Sequence, residues 1–171
     1  MKTLLSLLAV ALVCLGQARA QDNSDIHQNH IKALKGVTTV KLLVHVDKTL
    51  QEYGLSEAEF YRSTSLRLTK IGITVQKADE GAKDSATPTF NVVLDGYKIP
   101  ACVLVCHIQV CLCEPVRIER QPQAVVRVAT WREELYGAVD SFEPRRLLMC
   151  TDGLVDHFVN DWTVANPGAG K

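Results

Sequence analysis

Apolar and polar positions alternate with a period of two from Val37 to Val46. Val40, Leu42, Val44 and Val46 fall on one side, with Thr39, Lys41, Leu43 and His45 on the other. That pattern predicts a first strand with one apolar face. The period then lengthens. Ser56-Glu57-Ala58-Glu59 has the form of a capping box, with Ser56 as N-cap and Glu59 three positions on. Leu55 and Phe60 stand at the spacing of a hydrophobic staple across that start. At about 100° per residue, Phe60, Tyr61, Thr64, Leu68 and Ile71 share a face, and Ser63 falls on the exposed side. Gly72 sits where a helix ends in a left-handed residue. Ile73 and Val75 then predict a short second strand.

Beyond a polar loop at Ala78–Pro88, Phe90, Val92 and Leu94 alternate as a third strand, and Asp95-Gly96 reads as a turn. After Pro100 comes the longest alternation in the chain. Cys102, Leu104, Cys106, Ile108, Val110 and Leu112 line one apolar face, and Val103, Val105, His107, Gln109, Cys111 and Cys113 the other. Pro115 has no N–H to donate and predicts a break or bulge. Val116 and Ile118 resume the pattern, Gln121-Pro122-Gln123 connects, and Ala124–Trp131 is the last strand expected. A helix is predicted from near Pro144. Its stripe is Leu147, Leu148, Thr151, Leu154, Val155, Phe158, Val159 and Trp162, with Met149, Asp152, Gly153, Asp156 and Asn160 opposite. It must stop before Asn166-Pro167.

Strand, helix, strand, consecutive strands, helix is the order of a two-layer α+β domain. The late run of strands favours a mainly antiparallel sheet of about five strands, with two helices packed on one face. The domain is expected over 37–167, preceded by a flexible arm at 21–36 and followed by a short tail at 168–171.

The first twenty residues read differently. Lys2 precedes a nearly unbroken apolar run from Leu4 to Leu15, and Ala18-Arg19-Ala20 has the small-x-small form of a cleavage site. Residues 1–20 therefore read as a signal peptide, placing the protein in the periplasm or outside the cell. The run is too short to span ~30 Å of hydrocarbon, and no later stretch reaches ~18 apolar residues, so no membrane span is expected after cleavage. Of 171 residues, 47% are apolar, enough for one core. The 19 basic and 19 acidic side chains cancel, and loss of Lys2 and Arg19 with the leader leaves 17 against 19. That balance argues against nucleic acid as a partner.

Five cysteines follow the leader: Cys102, Cys106, Cys111, Cys113 and Cys150. Export permits disulfides, and an odd number leaves at least one thiol without an intrachain partner. Along a strand Cys102 and Cys106 lie roughly 13 Å apart, too far to bridge. They are expected as small buried apolar residues. Cys111 and Cys113 share the other face, about 6.6 Å apart between Cα atoms, a marginal span for a bridge. His107, Cys111 and Cys113 are the residue types of a zinc or cuprous site, without the spacing of a knuckle. Cys150, His157 and Asp161 fail as a catalytic triad, since Cys150 and His157 are two helical turns apart, about 10.5 Å. With no phosphate loop, nucleophile elbow or metalloprotease motif, no catalytic residue and no cofactor is assigned. Trp131, whose sheet face the alternation leaves open, is a candidate contact residue. Phe158 and Trp162 are core candidates.

The segment Phe158-Val159-Asn160-Asp161-Trp162-Thr163-Val164-Ala165-Asn166-Pro167 resembles the ending of a group of uncharacterised exported bacterial proteins, with an F-x-N-x-aromatic-x-x-x-N-P pattern after an amphipathic helix. The resemblance implies bacterial export and no known activity. The expectation is an exported, soluble, non-enzymatic module that binds a protein partner. The alternative is a periplasmic thiol or metal-handling protein using the cysteine-rich strand.

Overall fold

The computed structural model describes residues 27–77, 86–100 and 103–169. The leader, the start of the arm, the loop at 78–85 and Cys102 lie outside the described residues. Helical residues 27–33 (α1) lead into β1 (Thr39–Val46), α2 (Lys48–Glu52), α3 (Glu57–Lys70) and β2 (Thr74–Lys77). Then follow β3 (Thr89–Ile99), β4 (Val103–Ile118), β5 (Gln121–Asp140) and α4 (Arg146–Ala165). The strands form one sheet in the order β2-β1-β3-β4-β5.

The fold is α+β, as the pattern predicts, and its sheet is mixed. β1 runs parallel to both β2 and β3. The longer ladders, β3 with β4 and β4 with β5, are antiparallel. The parallel pairing of β1 with β2 follows from α3 between them: a helical crossover returns the chain in the same direction.

The start of α3 is built as its sequence demands. Ser56 Oγ accepts from the Glu59 N–H at 3.3 Å, and Leu55 and Phe60 are both buried. Gly72, at φ +94°, turns the chain into β2. A helix not anticipated, α2, is capped by Asp47, whose carboxylate accepts from the Thr49 N–H at 2.7 Å. Asp95-Gly96 is no turn: β3 runs through it, with Gly96 opposite Cys106. A Cβ at 96 would overlap the Leu50 side chain, so glycine lets α2 lie close against the sheet.

Pro115 does not break β4, which continues to Ile118. The last β3 partner of β4 is Cys113, so among the described residues β4 pairs only with β5 at Pro115, an edge position where a proline is tolerated. The register shifts of the β4–β5 ladder lie at Leu112/Cys113 and at Arg117/Ile118. Leu112 faces Trp131 and Cys113 faces Ala129, leaving Thr130 as the extra residue of a bulge. β5 also runs to Asp140, past the expected end at Trp131.

One core fills the space between the helices and the apolar side of the sheet. β1, β3 and β4 contribute Val40, Leu42, Phe90, Val92, Leu94, Leu104, Cys106, Ile108, Val110 and Leu112. α3 adds Phe60 and Leu68, and α4 adds Leu147, Leu154, Val155, Phe158 and Trp162. The polar side of α4 is not all turned to water. Arg67 of α3 pairs with Asp152 at 2.9 Å and Asp156 at 2.6 Å, and Ser63 Oγ donates to Asp152 at 2.6 Å.

The end of α4 fastens the segment that precedes β1. Trp162 Nε1 donates to Val37 O at 2.8 Å. Asn166 accepts from the Gly36 N–H at 2.7 Å and donates to Leu34 O at 3.0 Å. The arm is therefore not loose throughout: Leu34 and Val37 are core residues held by α4.

Candidate functional site: the open sheet face and its edge

The helices occupy the apolar side of the sheet, and the other side carries the chemistry-bearing residues of β3, β4 and β5. Across the ladders Asp95 faces His107, His107 faces Tyr136, Gln109 faces Glu134, and Cys111 faces both Asn91 and Arg132. Period-two alternation alone puts these side chains on one surface.

They form two groups. In the first, the His107 and Tyr136 rings stack with centroids 4.4 Å apart, and His107 Nδ1 lies 3.3 Å from Asp95 Oδ2. Glu134 accepts from Gln109 Nε2 at 2.6 Å, from the Arg132 guanidinium, and from the Tyr136 hydroxyl at 3.3 Å. The Gln109 bond first, and the Arg132 bond after it, hold the Glu134 carboxyl below its ordinary range. Glu134, Gln109, Arg132 and Tyr136 are engaged with one another as a braced polar surface, while His107 Nε2 is buried without a hydrogen-bond partner among the described residues, 3.9 Å from Glu134.

The second group is the thiol pair. Cys111 Sγ and Cys113 Sγ are 3.8 Å apart, and Asn91 Nδ2 lies 3.7 Å from Cys111 Sγ. Cys111 is only 6% exposed. Burial, with Cys113 beside it, pushes its thiol up to about 11. Of the three residues considered for a metal, the structure brings Cys111 and Cys113 together and leaves His107 four residues away, in the other group. Among the described residues no three His, Cys, Asp or Glu side chains gather as a metal-binding set.

Cys106 faces the core as expected. Burial raises its thiol above its ordinary value, and Cys150 nearby adds to the rise.

Trp131 is corrected. It is 1% exposed and belongs to the core, not to a contact surface. Its ring meets Phe158 edge-on at 5.1 Å, and its Nε1 donates to Asp161 Oδ2 at 2.9 Å. Straight alternation groups Trp131 with Val125 and Ala129. The bulge at Thr130 reverses the face between Ala129 and Trp131.

The feature that the alternation could not show is the edge itself. β5 closes one side of the sheet with β4 as its neighbour, and it is 20 residues long. Around the bulge it exposes Val125, Val126, Val128, Leu135 and Tyr136. Among the described residues no strand lies on its outer side, so its exposed aliphatic positions, set among Arg127, Arg132, Glu133 and Glu134, offer a template for another strand.

No family model matches the chain, and no curated protein matches it. Among solved structures it is similar to a minor lipoprotein from Acinetobacter baumannii, at 10% identity and a TM-score of 0.42, over 76% of this chain and 93% of that one. Among the described residues no helix is long and apolar enough to cross a membrane.

Proposed function

We propose that the protein is an exported, non-enzymatic module that binds a protein partner by strand addition at β5, in the periplasm or outside the cell. The leader at 1–20 supports export. The observation that carries the binding role is the β5 edge: 20 residues with one neighbouring strand and exposed aliphatic side chains on both sides of a bulge. Main-chain groups along such an edge supply affinity, and alternate side chains supply selectivity. A photo-cross-linking residue at Tyr136 tests it in the native compartment, with one at Leu66 on α3 as control. An adduct from Tyr136 and none from Leu66 is the expected result. Adducts from both or from neither remove the edge from the function.

A second reading, thiol or soft-metal handling, draws on the 3.8 Å separation of Cys111 and Cys113. Thiolates are soft ligands. Titration of the folded protein with cuprous ion separates the two readings: binding of one ion, abolished by Cys113→Ser, together with no adduct at Tyr136, favours the second.

A further inference from the structure

We infer that Cys111 and Cys113 are a reversible redox pair that closes to an intrastrand disulfide by exchange with a disulfide donor. Cys113 is the sulfur that meets the donor, and Cys111 is the one that resolves. The inference rests on the thiol reading and gives it a chemistry. Alternation puts both side chains on the open face of β4, and their sulfurs already lie 3.8 Å apart. Closure to a bond of about 2.05 Å is a short movement. The register shift between Leu112 and Cys113 falls inside the pair, where the ladder is irregular and the strand can twist as the sulfurs approach. Two strand residues apart, the Cα atoms are separated by roughly 6.6 Å, at the upper end of the span a disulfide accepts. A bond made there is strained and readily reduced, which suits exchange rather than a permanent cross-link.

The two thiols are unequal in the way that exchange requires. Cys113 is only partly buried, whereas Cys111 is 6% exposed, so a donor reaches Cys113 first. The Cys113 thiolate attacks one sulfur of the donor, R–S–S–R. A bond forms from Cys113 Sγ to that sulfur, and the other sulfur leaves as a thiolate that takes up the proton Cys113 gave away. Burial first, and then the charge and hydrogen bond of Cys113, hold the Cys111 thiol up. Once Cys113 carries the donor's sulfur, that charge and that S–H are gone. Asn91 and Arg132 remain beside Cys111 to favour its thiolate. Cys111 Sγ then attacks Cys113 Sγ and expels the second donor sulfur, which takes the Cys111 proton. The two cysteines lose two electrons and two protons, and one donor disulfide becomes two thiols. The leader at 1–20 supports passage to an oxidising compartment, where such donors occur. Cys106 faces the core on the other side of β4 and takes no part.

The test exposes the reduced, folded chain from Gln21 to Lys171 to oxidised glutathione, then denatures it in N-ethylmaleimide to cap every free thiol. Intact mass counts retained glutathione. Reduction, iodoacetamide and fragmentation of the tryptic peptide Ile99–Arg117 then show which cysteines had been oxidised. Cys111 and Cys113 are expected to gain the iodoacetamide label together, with no glutathione kept on either. Cys111→Ser should stall with one glutathione on Cys113. Cys113→Ser should slow the loss of the Cys111 thiol by about tenfold or more, since the buried sulfur must then meet the donor unaided. Glutathione kept on the unsubstituted pair, no mixed disulfide on Cys113 in Cys111→Ser, or a Cys111 that reacts as fast without Cys113 overturns the inference. So does an unsubstituted chain in which both thiols stay reduced. If that chain binds one cuprous ion and loses it with Cys113→Ser, the thiol reading stands and only its redox chemistry falls; if it binds none, both fall.

Discussion

The indole N–H of Trp131 donates to the Asp161 carboxylate at 2.9 Å, tying the edge strand to the last helix. The bond lies at the bulge, beside the edge-on contact of Trp131 with Phe158. It fixes the place where β5 departs from a regular ladder opposite Leu112 and Cys113.

Removing the acceptor should therefore be costly. Asp161→Ala leaves the N–H of a buried tryptophan without its partner, at about 1–3 kcal/mol. Urea unfolding of the variant should show that loss, and Trp131→Phe should remove most of the difference between Asp161 and alanine. Additive effects of the two substitutions would show that the bond contributes little.

At the start of α3, Ser56→Ala should cost about 0.5–2 kcal/mol by loss of the N-cap acceptor. Ser63→Ala should cost something too, because Ser63 Oγ reaches Asp152. In denaturant melts, Ser63→Ala and Asp152→Ala should be non-additive, since they delete partners of one bond.

Gly96→Ala should destabilise by about 1–3 kcal/mol, because the added methyl meets the Leu50 side chain. Leu50→Ala is destabilising alone, yet in its background Gly96→Ala should become nearly neutral. Thermal unfolding of the four proteins of that cycle is the measurement.

The thiols should label in order. Cys113 and Cys150 are only partly buried and should take iodoacetamide first at pH 8. Cys111 and Cys106 should lag, since burial raises both thiols and thins their thiolate. The same shift links to stability. A thiol raised in the folded state stabilises the fold fully below its unfolded value. For Cys111, that contribution should fade as pH climbs from the ordinary thiol range through about 11. Mass-mapped labelling checks the order, and Cys111→Ala should flatten the alkaline loss in stability.

Much of this fold can be read from side-chain periodicity. The face of β4, the start of α3 and the stripe of α4 follow from spacing alone, because each buries one side against a single core. The misreadings share another cause. Gly96 is chosen for what packs on it, and an aspartate-glycine pair looks the same whether it turns a chain or admits a neighbouring helix. Trp131 changes face because Thr130 adds a residue that only the partner strand reveals. The far half of β5 shows no alternation since, at an edge, neither face is fully buried. Within the candidate site, the shared face of Cys111 and Cys113 is legible from their spacing. The bracing of Glu134 by Gln109 is not, because it depends on cross-strand register.

The clasp between Asn166 and the backbone at Leu34 and Gly36 has a consequence for when the molecule becomes complete. A chain made from its N-terminus holds Leu34 and Val37 ready long before their partners exist. Those positions stay uncovered until Trp162 and Asn166 have been added, so the last turn of α4 is the step that closes the protein. Until then the base of β1 remains open to water. A chain cut short before Trp162 would lose the bolt that shuts that base.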